Sequence, residues 1–590
     1  MNAKIVIVIC CSLLPQADAT PTRFKNRPMK RSVHYLLLVL IAVALAPAKA
    51  FSQQLNDKPA DQALHQRAYK LLETLAEEIG SLQSGENRAR LGSNIAMSLW
   101  PHNEAKAREM FATVAKEIKA GLDADDPSRY VAKQHFIKLR EDTALRIGMF
   151  DPEGALRFLN DTRSTDYVTE EDRNQLNIRL AILFAGRNPD LALKLGRESV
   201  KHGVTDTQLH LIYELSKKSR DQAATFLAEL VKIAPYQDIR HAMKNEQFYI
   251  ALARLVEPRL GRDPAFRDLM NYFADLALQT GCGKKVYRDN DGFCYRVGIV
   301  VPFMEKLDTK GVALLKHLGR KGAFPYEWSP ELIQYADVYQ NGSLDDLLAM
   351  IPMFPDYREA GQGFAIRKIM ESGDFERARK LANEFTWKET STRQVVLEQI
   401  DEAQRIVNED TSAEILKEAE ELRRGSETPF FYLFRRANEI GPKNPQTTLT
   451  LLDRASELLD KAPREKWEMQ WRIGIAVRYC QVKSDRCFTV MEPIVRRMNE
   501  LVTAAAKLNG FDNQYLADGE WIMTAEGGIG SLLTMLAQNA VYFALCDFDR
   551  AVAMSSQFER REIRMMARLK LAQGVLEGPP KKPLFDDVEK

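Results

Sequence analysis

The sequence predicts an all-α protein: an irregular α-α superhelix, or solenoid, of antiparallel helix pairs with one small hairpin-like insertion near residues 281–297. Three observations predict it. Apolar residues recur at helical spacing almost from end to end. Val/Ile/Thr alternation at strand period is nearly absent. One helix-starting phrase also recurs along the chain, as set out below.

The chain opens on an export leader. Met29-Lys30-Arg31 is followed by the apolar run Tyr35–Leu45 and then by Ala48-Lys49-Ala50. A basic region, an apolar region and an A-x-A site in that order read as a signal peptide cleaved after Ala50. The apolar run is short for a membrane span of about 20 residues. Met29 is the better start, because residues 1–28 precede the basic region. No Cys stands near the cut, so a lipoprotein is not expected. The mature chain is expected in the periplasm or outside the cell, with no stable membrane span.

The leader changes the charge. The whole chain carries 83 Lys+Arg and 81 Asp+Glu, a formal net of +2. Residues 1–50 hold seven of the basic residues and one acid, which leaves 76 basic, 80 acidic and a net of −4. Without a basic block, nucleic-acid binding is excluded as the expected function.

Residues 51–280 read as an amino-terminal helical repeat region. Leu64, Ala68, Leu71, Leu72, Leu75, Ala76 and Ile79 mark one helix, and Ala105, Met110, Val114, Ala115 and Ile118 the next. Residues 281–358 form an interruption rich in Cys, aromatics and Pro. Residues 359–577 form a carboxy-terminal helical repeat region. Residues 578–590, with Pro579-Pro580, read as a disordered tail.

The recurring phrase is a capping residue, a first turn, a small residue and, three positions later, a large apolar one. It begins at Asp151, Asn188, Ser219, Asp374, Asn444 and Asp547. The small residues are Ala155, Ala192, Ala223, Ala378, Thr448 and Ala551; the large ones are Phe158, Leu195, Phe226, Leu381, Leu451 and Met554. Asp, Asn or Ser at the first position accepts from the free N–H groups of a helix start. Pro, where it follows, has no N–H to leave unpaired. The first three phrases begin 37 and then 31 residues apart, about one helix–turn–helix unit.

Gly373-Asp374-Phe375-Glu376-Arg377-Ala378-Arg379-Lys380-Leu381-Ala382 resembles the second helix of a tetratricopeptide-type (TPR-like) repeat, and Cys546-Asp547-Phe548-Asp549-Arg550-Ala551 is similar. The Trp, Leu-Gly, Tyr and closing Pro of the full pattern are met by no unit. The resemblance implies a divergent repeat scaffold with a concave, partner-binding groove. It implies no catalytic residue.

Five Cys follow the leader. In an oxidising compartment near pairs become disulfides, so Cys282–Cys294 and Cys480–Cys487 are the expected bridges and Cys546 an inert core thiol. A zinc site is the rival, but no C-x-x-C occurs and no His stands near. Asp289-Asn290-Asp291-Gly292 resembles part of a calcium loop without its closing Glu. No metal and no cofactor are expected. In the second part of the interruption, Phe324, Tyr326, Trp328, Tyr335 and Tyr339 are candidate ligand-binding aromatics, with core packing as the alternative.

No catalytic constellation stands out: there is no H-E-x-x-H, G-x-S-x-G, P-loop or dinucleotide fingerprint. Gly527, Gly528 and Gly530 follow no strand, and His202 and His210 stand eight residues apart across Gly203. No catalytic residue is assigned. Asp518 and Glu520 beside Trp521 are the acid pair to test first. The expected function is an exported scaffold binding a peptide or protein in the cell envelope. The alternative is an exported enzyme or accessory protein acting on peptidoglycan or another polysaccharide.

Overall fold

The structure is a computed structural model. It describes residues 59–280 apart from 125–129, 164–169, 201–205 and 234–245; parts of 282–309; and residues 338–578 apart from 340–341, 354, 388–389, 423–427, 460–464, 512–514 and 524–527. The leader, the acidic turn 289–292 and the tail 579–590 lie outside the described residues. The chain divides into two compact units, Met1–Ala63 and Leu64–Lys590. Of the first, only residues 59–63 are described, as the start of a helix.

The second unit is all-α apart from one very small sheet. Its first helices are α1 (Pro59–Glu78), α2 (Gly85–Leu99), α3 (Glu104–Asp123), α4 (Tyr130–Gly148), α5 (Pro152–Asp161), α6 (Glu170–Phe184), α7 (Pro189–Val200), α8 (Asp206–Ser216) and α9 (Arg220–Ile233). They pack in consecutive pairs: α2 on α3, α4 on α5, α6 on α7 and α8 on α9. The first members also touch in series, α2 to α4 to α6 to α8, while α3 touches α5 and α7 touches α9.

Next come α10 (Glu246–Ala251), running through a π-turn at Leu252–Val256 into α11 (Glu257–Leu260), then α12 (Pro264–Gln279) and the short α13 (Phe293–Gly298) and α14 (Val301–Lys306). Residues 293–297 are expected in a hairpin-like insertion and, with Gly298, are helical instead. Cys294 and Val297, one turn apart on this helix, are both buried. The expected Cys282–Cys294 bridge is present, with Cα atoms 5.4 Å apart.

Beyond residue 338 come α15 (Leu344–Met350), α16 (Arg358–Glu371), α17 (Phe375–Glu384) and α18 (Thr390–Asn408), each packed on the next and holding two small cores of their own. Then follow α19 (Ser412–Glu421), α20 (Pro429–Ile440), α21 (Pro445–Glu457), α22 (Lys466–Gln481) and α23 (Arg486–Lys507). Strands β1 (Leu516–Ala517) and β2 (Glu520–Trp521) pair as a hairpin, and α24 (Gly528–Cys546), α25 (Phe548–Ser555) and α26 (Arg561–Glu577) end the described chain. One large apolar core runs from Ala68 to Met304 and again from Ile415 to Val575.

All six recurring phrases start helices as their chemistry requires. Asp151 accepts from Gly154 N (2.7 Å), Asn188 from Leu191 N (3.1 Å) and Ser219 from Gln222 N (3.4 Å). Asp374 accepts from Arg377 N (3.1 Å), Asn444 from Thr447 N (3.2 Å) and Asp547 from Arg550 N (3.1 Å). Each small residue of the phrase is buried, so the neighbouring helix approaches there. Five of the six large residues are buried too; Leu381 is half-buried.

Helix α24 is the one described helix long and apolar enough to cross a membrane. About half of it is covered by protein: Leu532, Leu533, Leu536, Val541 and Phe543 are buried where it packs on α22 and α26. The crossing with α26 is close at Gly574, where a Cβ would stand 2.5 Å from Val541 Cβ and 2.7 Å from its Cα. Because backbone and not a flexible tip is in the way, Gly574→Ala is expected to cost about 2 kcal/mol of stability. Urea unfolding checks it; a gain from better helix propensity would show that the crossing is looser than described.

The hairpin joins the two ends of the unit. Asp518 (φ 51°) and Gly519 (φ 79°) make the two-residue turn in the left-handed region that such a turn demands. This places Glu520 over the start of α2. Its carboxylate accepts from Gln83 N (2.8 Å), Ser84 N (3.1 Å) and Asn87 Nδ2 (3.2 Å). Asn87 Nδ2 also donates to Trp521 O (3.0 Å), and Trp521 N donates to Glu562 on α26 (2.8 Å). Further along, Gln573 Nε2 donates to Ser98 Oγ at 2.9 Å.

Candidate functional site

Three cysteines meet where α22, α23 and α24 come together. Cys480 lies in the last turn of α22, Cys487 in the first turn of α23, and Cys546 ends α24. The sulfurs of Cys480, Cys487 and Cys546 all lie within 4.8 Å of one another, and those of Cys487 and Cys546 are 3.8 Å apart. Cys480 and Cys487 are buried; Cys546 is half-buried.

The local chain explains the approach. Helix α22 closes by a reversal in which Lys483 N donates to Cys480 O (3.0 Å) and Ser484 N to Tyr479 O (2.9 Å). Those two bonds, with a left-handed residue between the helix and its exit, are a Schellman closure. Lys483 takes the left-handed position (φ 58°) that glycine usually fills. Its Nζ donates to Leu545 O, which ties the reversal to the end of α24.

This corrects two expectations. Cys480 and Cys487 are free thiols, not a disulfide. The reversal holds them as neighbours without bonding distance, and each instead faces a third thiol. Cys546, expected as an isolated core thiol, is that third member. Nothing local to residue 546 signals it: the cluster exists because α24 ends beside a turn about sixty residues earlier in the chain.

Electrostatics within the cluster are uneven. Burial pushes the Cys480 thiol up, with hydrogen bonds to Cys487 and Cys546 adding to it. Hydrogen bonds from Cys480 and then Cys487 hold Cys546 well below the ordinary thiol range against the effect of burial; Lys483 and Arg550 reinforce this. Arg550 also pairs with Asp485 (3.2 Å) and lies over the Phe488 ring.

The acid pair proposed from sequence is structural. Glu520 is buried at 8% exposure, and three donors of the α2 start occupy its carboxylate. Asp518 is a turn residue. The Asp518-Gly519 dipeptide is a local hairpin signal in the sequence.

Of the candidate aromatics, Phe324, Tyr326, Trp328 and Tyr335 lie outside the described residues. Tyr339 is half-buried. Its ring packs on Phe364 with centroids 5.4 Å apart, its hydroxyl donates to Glu371, and Lys368 lies over its face. A different aromatic surface appears on α20 and α22. Phe430, Phe431 and Phe434 all pack edge-to-face on Trp471, and Phe431 (39%) and Trp467 (45%) are exposed beside them. Trp467 and Trp471 are one helical turn apart, so they share a face of α22.

A buried charge network stands at the start of α2. Glu86 pairs with Arg90 (2.9 Å) and with His135 Nδ1 (3.3 Å). Burial raises the Glu86 carboxyl, but the His135 hydrogen bond and the Arg90 charge more than offset it, and the net shift is downward. A carboxyl whose folded value is depressed adds stability above its unfolded value, near 4.3, and loses it as pH falls through the lower folded value. Urea midpoints at pH 5 and pH 3 are expected to fall further for wild type than for Glu86→Gln.

Compared with protein-family models, curated proteins and solved structures, the chain matches none.

Proposed function

We propose that the protein is an exported scaffold, an irregular α-α superhelix of TPR-like helix pairs, that binds a peptide or protein partner in the cell envelope. The observation that carries this reading is the packing of α2 to α9. Each pair touches the next through its first helix, a packing that supports a row of helices. Such rows offer long side-chain surfaces to a partner. The signal-like segment Met29–Ala50 supports export.

The chemistry on the surface favours binding over catalysis. Of the acid pair singled out in the sequence, Glu520 is engaged in holding α2 and Asp518 stands in the hairpin turn. The apolar cavity between α24, α25 and α26, walled by Leu533, Leu536, Phe543, Met554, Phe558 and Leu571, gathers no converging polar groups. Exposed Phe431 and Trp467 are side chains of the kind that anchor protein interfaces.

A displayed peptide library selected against the mature chain tests this. Binders are expected, and the double variant Phe431→Ala/Trp467→Ala is expected to weaken them at least ~10-fold while unfolding at the same urea concentration. A library that yields no binder contradicts the reading. Binders indifferent to the double variant would move the interface off α20 and α22.

A further inference from the structure

The thiols of Cys480, Cys487 and Cys546 take part in none of the roles above. The geometry points to a site in which these three sulfurs hold one soft, monovalent metal ion, copper(I).

The spacing fits an ion. Sulfurs ~2.3 Å from a common centre in a trigonal arrangement stand ~4 Å from one another. The three sulfurs lie within 4.8 Å of one another, and the Cys487–Cys546 separation is 3.8 Å. That separation is nearly twice the ~2.05 Å of a disulfide, so the packed thiols are closer to a ligand set than to a bond.

The donor set selects the ion. Soft thiolates favour copper(I), zinc and iron–sulfur clusters among the common metal centres. Structural zinc takes four ligands, and catalytic zinc three with a water. Among the described residues no His, Asp or Glu joins the three sulfurs. The nearest other donor given for the cluster is the Ser484 carbonyl, 3.7 Å from Cys546 Sγ. Three soft donors without a fourth suit a three-coordinate ion with no need of a hard ligand.

The site is also held in place. The Schellman closure fixes Cys480 and Cys487 on either side of one reversal, and Lys483 ties that reversal to the carbonyl before Cys546. Lys483 and Arg550 stand close enough to Cys546 to act on it electrostatically, which offsets the surplus negative charge of three thiolates around a single positive ion. Asp485, paired with Arg550, moderates but does not cancel this. Half-buried Cys546 gives an ion its entry path, while the other two sulfurs are closed off. Binding displaces the thiol protons, one for each sulfur that carries one.

The test is an anaerobic titration of the reduced full mature chain with copper(I) against a competing chelator, and in parallel with zinc(II). One equivalent of copper(I) is expected to be held, with sulfur-to-copper charge-transfer absorption. Cys487→Ser and Cys546→Ser are each expected to weaken it by more than ~100-fold, the upper range for losing even an outer partner of a metal site. The Cys282→Ser/Cys294→Ser double variant is expected to bind as wild type does. Because a core substitution can unfold a chain, the wild type gives a second readout: copper(I) is expected to protect Cys546 from alkylation. Tighter holding of zinc than of copper overturns the assignment. So does an alkylation rate at Cys546 unchanged by copper, or unchanged binding in Cys546→Ser.

Discussion

Glu520→Ala is expected to lower the stability of the chain by about 3 kcal/mol, the cost of orphaning two buried donors and one part-buried donor at about one each. The donors are Gln83 N, Ser84 N and Asn87 Nδ2. The N–H groups at a helix start have no partner within the helix, and they favour negative charge. The Ser84 side chain makes no capping bond to α2, so a carboxylate more than 430 residues away serves the helix start instead. Glu520→Gln keeps one acceptor and turns an NH₂ toward a donor, so it is expected to fall between wild type and alanine. Urea unfolding followed by circular dichroism reads the difference. A loss under ~1 kcal/mol for the alanine variant would mean that water serves these donors as well as the carboxylate does.

Cys282→Ser is expected to cost about 3 kcal/mol, the chain-entropy value for a loop of this size. The two cysteines are 12 residues apart and both are buried, so the bridge restrains the unfolded chain and sits within the core. A reducing agent is expected to lower the thermal midpoint of wild type by a similar amount and to leave Cys282→Ser unmoved. A midpoint indifferent to reductant in the wild type would place the bridge outside the native state.

The helix starts were the most legible feature. A cap acts on an N–H three residues away, so Asp151, Asn188, Ser219, Asp374, Asn444 and Asp547 carry their whole instruction within one turn. The small residues that follow are legible for the same reason. What failed to show was whatever depends on crossings. Cys546 reads as a core thiol until α24 is laid beside the α22–α23 reversal. Phe431 reads as an ordinary amphipathic position until α20 sets it against Trp471 of α22. Gly574 is one glycine in a helix until Val541 is set against it. The hairpin stands between these cases: Asp518-Gly519 is a local turn signal, but the partner of Glu520 is at the far end of the chain.

In the second unit the hairpin holds the start of α2 through the Glu520 carboxylate and bonds the last helix, α26, through Trp521 N, which makes Glu520 a structural acid. Hydrogen exchange at the amides of Gln83 and Ser84 tests it most directly. Both are expected to be protected in wild type to nearly the level of global unfolding, and to lose that protection selectively in Glu520→Ala. Free exchange of these two amides in the wild type would contradict the account.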